Sequence, residues 1–212
     1  MIKALLFDLD NTLIDRQRAF TEMLYRTFRK YYDDEEYVNT LVKDALFFDD
    51  GGKIERIDSF TKLIDKYNIK EFTAKEFAEN WSKESGSVVY LFDDVISTLT
   101  ALKDKYRLAI VTNGDYESQK RKLDHVNLYY LMDYTLISSE IGIRKPDPRI
   151  FQYACKQMNL KEKECLYIGD SYSRDIVGAI NAGLEAIYVS RVNETHDDVK
   201  TIYQIKELLD IL

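Results

Sequence analysis

Five short apolar or β-branched runs recur along the chain, at Lys3–Phe7, Leu108–Thr112, Tyr134–Ser138, Cys165–Ile168 and Ala186–Val189. From the second onward, segments with helical spacing separate them. Asp93–Lys105 carries Val95, Ile96, Leu99 and Leu102 on one stripe, and Glu117–Leu128, Pro148–Met158 and Ser173–Ala182 repeat the pattern. Pro148 suits a first helical turn, where the backbone N–H it lacks would have no intrahelical partner. Strands alternating with helices predict an α/β fold in which a parallel sheet is covered on both faces.

Residues 16–87 break that rhythm. Helical spacing is found near Arg18–Tyr31, Tyr37–Phe48, Ile54–Tyr67 and Ala74–Lys83, with no convincing strand, and Gly51–Gly52 and Asn68 punctuate the segments. The pattern predicts an all-helical subdomain inserted after the first strand, with residues 1–15 and 88–212 forming the α/β core. The insert is rich in tyrosine and phenylalanine, which reads as helix-to-helix core before it reads as a substrate box. Its acidic patches, Asp33–Glu36 and Asp49–Asp50, are compatible with solvated surface.

At 212 residues the chain is long enough for one large domain or for a domain carrying such an insert. Its 45% apolar and 32% charged residues are those of an ordinary soluble protein, and a net charge of −7 argues against a general nucleic-acid binder. The basic cluster Lys120, Arg121, Lys122 reads as the solvated face of a helix. Cys155 and Cys165 lack metal-type spacing and read as reduced core residues, which suits a cytoplasmic setting. The first apolar run is too short for a signal peptide and is broken by Asp8, and no run approaches the roughly 18 apolar residues of a membrane span. The chain is expected to act as a monomer or a homodimer.

The chemistry gathers where the runs end. The first drives straight into Asp8 and Asp10, followed by Thr12. Two unit charges about 4 Å apart repel by roughly 4 kcal/mol at an effective dielectric of 20, so a metal, a lysine or both must offset them. The second run ends in Thr112-Asn113-Gly114, a hydroxyl, an amide and a glycine suited to cradle an anion. Beyond the third lies Arg144-Lys145-Pro146-Asp147-Pro148, which holds both prolines of the chain and points to a fixed loop delivering Lys145. The fourth ends in Gly169-Asp170-Ser171, with Asp175 five residues beyond Asp170. Taken singly, each aspartate reads as a turn or helix cap and Lys145 as surface. Their shared position argues otherwise, because ligands bind at the carboxyl edge of a parallel sheet. Hard oxygen ligands select Mg²⁺, which pairs naturally with a substrate phosphate.

On these four segments the chain resembles the haloacid dehalogenase superfamily. Asp8 to Thr12 match its DxDx[TV] motif, Thr112 its second motif, Lys145 before Pro-Asp-Pro its third, and Gly169 to Asp175 its GDxxxxD motif. The resemblance implies a Rossmann-like three-layer core with a helical cap of the C1 type at the insert. It implies a Mg²⁺-dependent phosphatase acting on a small phosphate monoester. Asp8 would be the nucleophile that becomes a phosphoaspartate, and Asp10 the acid and base. The metal would be held by the Asp8 carboxylate, the Asp10 backbone carbonyl and Asp170, while Asp175 would ligate through water or orient Lys145. Thr112, Asn113, Gly114 and Lys145 would hold the phosphoryl group. An acid at the Asp10 position points to phosphate esters, because family members acting on haloacids or phosphonates lack it.

A nucleotidase or sugar phosphatase is the narrower expectation, and a phosphomutase or a catalytically silent binding protein of the same fold are the alternatives. Intact Asp8, Asp10, Lys145, Asp170 and Asp175 argue against the silent form. Neither G-x-G-x-x-G after the first strand nor G-x-x-x-x-G-K-[ST] occurs, which disfavours nucleotide-cofactor enzymes. His125 and His196 are isolated and carry no assigned role.

Overall fold

The computed structural model describes residues 1–52, 54–84 and 86–212. Strand β1 (Ala4–Phe7) leads into four helices, α1 (Arg16–Phe28), α2 (Glu35–Asp49), α3 (Arg56–Tyr67) and α4 (Ala74–Glu84). They are followed by α5 (Val95–Lys103), β2 (Arg107–Thr112), α6 (Tyr116–His125), β3 (Tyr134–Ile137) and α7 (Ser138–Ile141). The chain ends with α8 (Pro148–Gln157), β4 (Cys165–Gly169), α9 (Val177–Ala182), β5 (Glu185–Val189), β6 (Lys200–Ile202) and α10 (Leu208–Ile211). These elements gather into two compact units, Met1–Asp15 with Val89–Leu212, and Arg16–Val88. No helix among the described residues is long and apolar enough to cross a membrane.

The first unit is the predicted α/β fold. Its strands lie in the order β3-β2-β1-β4-β5-β6, and every neighbouring pair is parallel. Side chains alternate faces along a strand, so β1 serves two cores at once. Leu5 and Phe7 pack with Val95, Leu99, Leu123 and Leu208 on one face, while Ala4 and Leu6 pack with Phe151, Ala154, Tyr167 and Ala179 on the other. Continuous burial of all four β1 residues is what a central parallel strand requires. The register pairs Phe7 with Ile110 and Ile168, which brings the tips of β1, β2 and β4 level at one edge.

Strand β6 was not legible in the sequence. It is a three-residue edge strand, and among its residues Ile202 is buried. Its pairing with β5, rather than any apolar run, creates it. The helix expected over Glu117–Leu128 stops at His125, because Asn127 adopts a left-handed backbone with φ of 51°. The segment expected to be helical from Ser173 opens instead as a wide π-type turn, Tyr172–Ile176, before α9.

The second unit consists of α1 to α4 around its own apolar core, where Phe20, Phe28, Phe60, Phe72 and Phe77 are buried together. The rings of Phe60 and Phe77 stack with centroids 3.4 Å apart. Asp49 corrects the expectation of a solvated acidic patch, since it is 1% exposed. Its carboxylate receives Arg16 at 2.9 Å and Arg56 at 2.5 Å, and the Arg56 guanidinium lies over the rings of Phe20 and Trp81. A buried carboxylate survives only when paired in this way. Asp34 is also structural, capping α2 by accepting from the amides of Glu36 and Tyr37.

Candidate active site

Asp8 is the first residue beyond β1, and its amide donates to the carbonyl of Ile168 on β4 at 2.9 Å. Its carboxylate therefore emerges between the tips of β1 and β4. Lys145 Nζ meets Asp8 Oδ1 at 2.6 Å, Asp175 Oδ1 at 2.7 Å and the Tyr167 hydroxyl at 2.8 Å. Asp8, Lys145 and Asp175 are all buried. Carboxylate oxygens of Asp8, Asp170 and Asp175 lie within 4.8 Å of one another. Four of the sequence-predicted residues are thus brought to one point.

The lysine is fixed by a reciprocal clamp. Asn113 Nδ2 donates to the Lys145 carbonyl at 3.0 Å, and the Lys145 amide donates to Asn113 Oδ1 at 2.9 Å. The Asn113 side chain, expected to hold phosphate, has both its polar groups on the Lys145 backbone. Tyr167, on β4, donates to the Val111 carbonyl at 2.8 Å while accepting from Lys145. Tyr167 is inconspicuous in the sequence because tyrosine is an ordinary strand former; its one signal is a hydroxyl in the middle of a buried strand, which needs a partner.

Asp175 is placed by the wide turn after β4. Its Oδ2 accepts from the Ser171 amide at 2.9 Å, and its own amide donates to the Ser171 carbonyl at 2.7 Å. Asp175 therefore has Oδ1 on Lys145 and Oδ2 on the Ser171 amide. Gly169 is required here, since a Cβ on it would stand 2.6 Å from Asp175 Cβ and Cγ. Gly169→Ala is expected to cost about 1–3 kcal/mol of stability through this overpacking, checked by urea denaturation.

Asp10 lies two residues further along the loop after β1. Arg191 holds that loop, with Nε on the Asn11 carbonyl at 3.1 Å and a terminal nitrogen on the Thr12 carbonyl at 2.7 Å. Asn11 takes the left-handed backbone there, with φ of 59°. The Asp10 carboxylate receives Lys122 Nζ at 2.8 Å on each oxygen, and Gln119 Nε2 at 3.0 Å on Oδ2. This corrects the reading of Lys122 as solvated: its side chain is 15% exposed and faces the site. Lys120 instead pairs with Asp124 on the exposed surface. Thr112 Oγ1 accepts from Gln119 at 2.8 Å, and the Gly114 amide donates to Ser138 Oγ at 3.1 Å.

The electrostatics of the cluster favour a cation. Burial pushes the Asp8 carboxyl up to about 6, against the pull of Lys145 and with added repulsion from Asp175 and Asp10. Asp170 is held well above the usual carboxylate range by burial, then by Asp8 and Asp175. Burial works against the charge of Lys145, but Asp175 and Asp8 outweigh it and raise its affinity for the proton. Asp8, Asp170 and Asp175 crowd the Lys145 ammonium, and the resulting pull on protons is what a further cation would relieve. Hard oxygen donors so placed fit a divalent cation of the Mg²⁺ kind. Asp8 and Asp170 would hold it by their carboxylates. The side chain of Asp10 is engaged by α6, and the resemblance assigns its backbone carbonyl to the metal.

Comparison with known proteins agrees with this architecture. The sequence profile of the haloacid dehalogenase-like hydrolases matches residues 5–189. The chain is 28% identical to a glyceraldehyde 3-phosphate phosphatase of Methanothermobacter thermautotrophicus, over 100% of both chains. It is 29% identical to the human N-acylneuraminate-9-phosphatase, over 87% of this chain and 81% of that one. Among solved structures, a putative hydrolase of the same family from Bacillus subtilis, bound to magnesium, superposes with a TM-score of 0.84 at 23% identity, covering 100% of this chain and 98% of the other. The chain belongs to the haloacid dehalogenase-like hydrolase family and is an enzyme of its phosphatase branch.

Proposed function

We propose that the enzyme hydrolyses a small phosphate monoester with Mg²⁺, through a phosphoaspartate on Asp8. The observation that carries this reading is the Asp8 carboxylate at the tip of β1, 2.6 Å from Lys145 and grouped with Asp170 and Asp175. A bound Mg²⁺ would supply charge neutralisation for the phosphoryl oxygens.

The residues themselves account for the two halves of the reaction. An Asp8 oxygen attacks phosphorus, and the bond from phosphorus to the leaving oxygen breaks as that oxygen takes a proton from Asp10. Water then gives a proton to Asp10 and attacks the same phosphorus, which releases inorganic phosphate and restores Asp8. Lys145 neutralises charge on the transferring group, and Thr112, whose hydroxyl oxygen already accepts from Gln119, offers its hydrogen to a phosphoryl oxygen. Gly114 lines the same strand tip, and Asn113 acts through the lysine it clamps.

The relatives point to the substrate class. Glyceraldehyde 3-phosphate and N-acylneuraminate 9-phosphate both carry phosphate on a primary alcohol of a polyhydroxylated skeleton. An ester of that kind is the substrate class proposed, and the resemblance assigns its selection to the helical unit Arg16–Val88 as a cap. Phosphate release should be measured over triose phosphates, sugar phosphates, sugar-acid phosphates and mononucleotides, with Mg²⁺ and with chelator. Metal-dependent release of inorganic phosphate is expected. An isomerised sugar phosphate without free phosphate would make the enzyme a mutase, and silence across the whole panel would contradict the hydrolase reading.

A further inference from the structure

We propose that Lys122 and Gln119 are positioning residues for the reaction, and that together they aim Asp10 at the leaving oxygen. This rests on the reading of Asp10 as the acid. Residues three apart on a helix share a face, and on α6 that face is turned to the site. Lys122 Nζ lies 2.8 Å from each oxygen of Asp10, so the ammonium straddles the carboxylate. Gln119 is 2% exposed, and its Nε2 reaches Asp10 Oδ2 at 3.0 Å, Thr112 Oγ1 at 2.8 Å and the Asn113 carbonyl at 3.3 Å.

The architecture explains how this arrangement arises. Asp10 sits on a loop, where a carboxylate attached through two rotatable bonds has no fixed aim. Helix α6 starts directly beyond β2, anchored by Asp115, which accepts from the Ser118 amide at 3.0 Å. The approach of Gln119 depends on Gly114, since a Cβ there would stand 2.6 Å from Gln119 Cγ. The strand tip that presents Thr112 therefore also carries the helix that grips Asp10. Phosphate-binding hydroxyl and acid are held by one rigid element.

A merely structural ion pair would affect all substrates alike, whereas an acid out of position matters most when the leaving group needs its proton. The test is kcat/KM of the Mg²⁺-loaded full chain over p-nitrophenyl, p-chlorophenyl, phenyl and p-methylphenyl phosphate. This ratio reports transfer of the phosphoryl group to Asp8 and nothing after it. Lys122→Met is expected to lose about 10- to 100-fold on p-methylphenyl phosphate and less than about threefold on p-nitrophenyl phosphate, with Lys122→Arg restoring most of the loss. Asp10→Asn should show the same leaving-group selectivity, more strongly. Equal losses by Lys122→Met across the series, beside a selective Asp10→Asn, would overturn the positioning role alone. A series left flat by Asp10→Asn would remove the acid itself, and the proposal with it.

Discussion

Asp8→Asn is expected to reduce turnover by on the order of 10⁴-fold or more, because an amide oxygen cannot serve as the nucleophile for phosphorus. The same change should stabilise the protein at neutral pH in the absence of metal. Burial raises the Asp8 carboxyl to about 6, from 3.8 when exposed. Between those values the folded chain holds a proton that the unfolded chain has lost, so stability falls as pH rises through the window. Above the window the buried charge costs on the order of 3 kcal/mol. The variant is therefore expected to unfold at higher urea than the parent at about pH 7.5 in chelator, with the gap closing towards about pH 4, where both carry a neutral group. Added Mg²⁺ should raise the parent's stability at neutral pH and do much less for the variant. Retained turnover in Asp8→Asn would place the nucleophile elsewhere.

Lys145→Met carries the next largest effect and moves stability in the opposite direction. The lysine lies in ion-pair contact with both Asp8 and Asp175, and all three side chains are buried. Removing the ammonium leaves those carboxylates, with Asp170 beside them, facing one another without it. Breaking a buried ion pair on one side typically costs about 3–5 kcal/mol, and that loss is expected in chelator at neutral pH. Part should return with saturating Mg²⁺, since a divalent ion supplies some of the missing charge. Activity should stay low even with metal, because the cation at the phosphoryl group is gone. Urea denaturation with and without Mg²⁺ checks the first claim, and phosphate release the second.

Much of this was readable in the chain because a parallel sheet imposes a simple geometry. Every strand ends at the same edge, so Asp8, Thr112 and Asp170, each placed at or after the end of an apolar run, share that edge, and the order β2-β1-β4 sets their strands side by side. Lys145 was marked by the prolines that follow it. Lys122 and Gln119 were hidden for a physical reason. A lysine beside Lys120 and Arg121 on a helix has solvent as its default partner, and only the path of α6 beyond β2 turns it towards Asp10. Arg191 was hidden likewise, since its partners are backbone carbonyls of Asn11 and Thr12, far away in sequence. Asp49 looked like surface because its charge was visible and its partners, Arg16 and Arg56, were not. Strand β6 contributes too little apolar sequence to announce itself.

The covalent phosphoryl group proposed on Asp8 can be caught directly. Enzyme quenched in acid during turnover with Mg²⁺ is treated with borohydride, which reduces an acyl phosphate to the alcohol and leaves a free carboxylate untouched. Peptide mass spectrometry is expected to find homoserine in place of Asp8 in the turning-over sample, and unmodified aspartate in samples lacking substrate. Homoserine at a different aspartate, or an unreduced Asp8 in an enzyme that was releasing phosphate when quenched, would contradict the account.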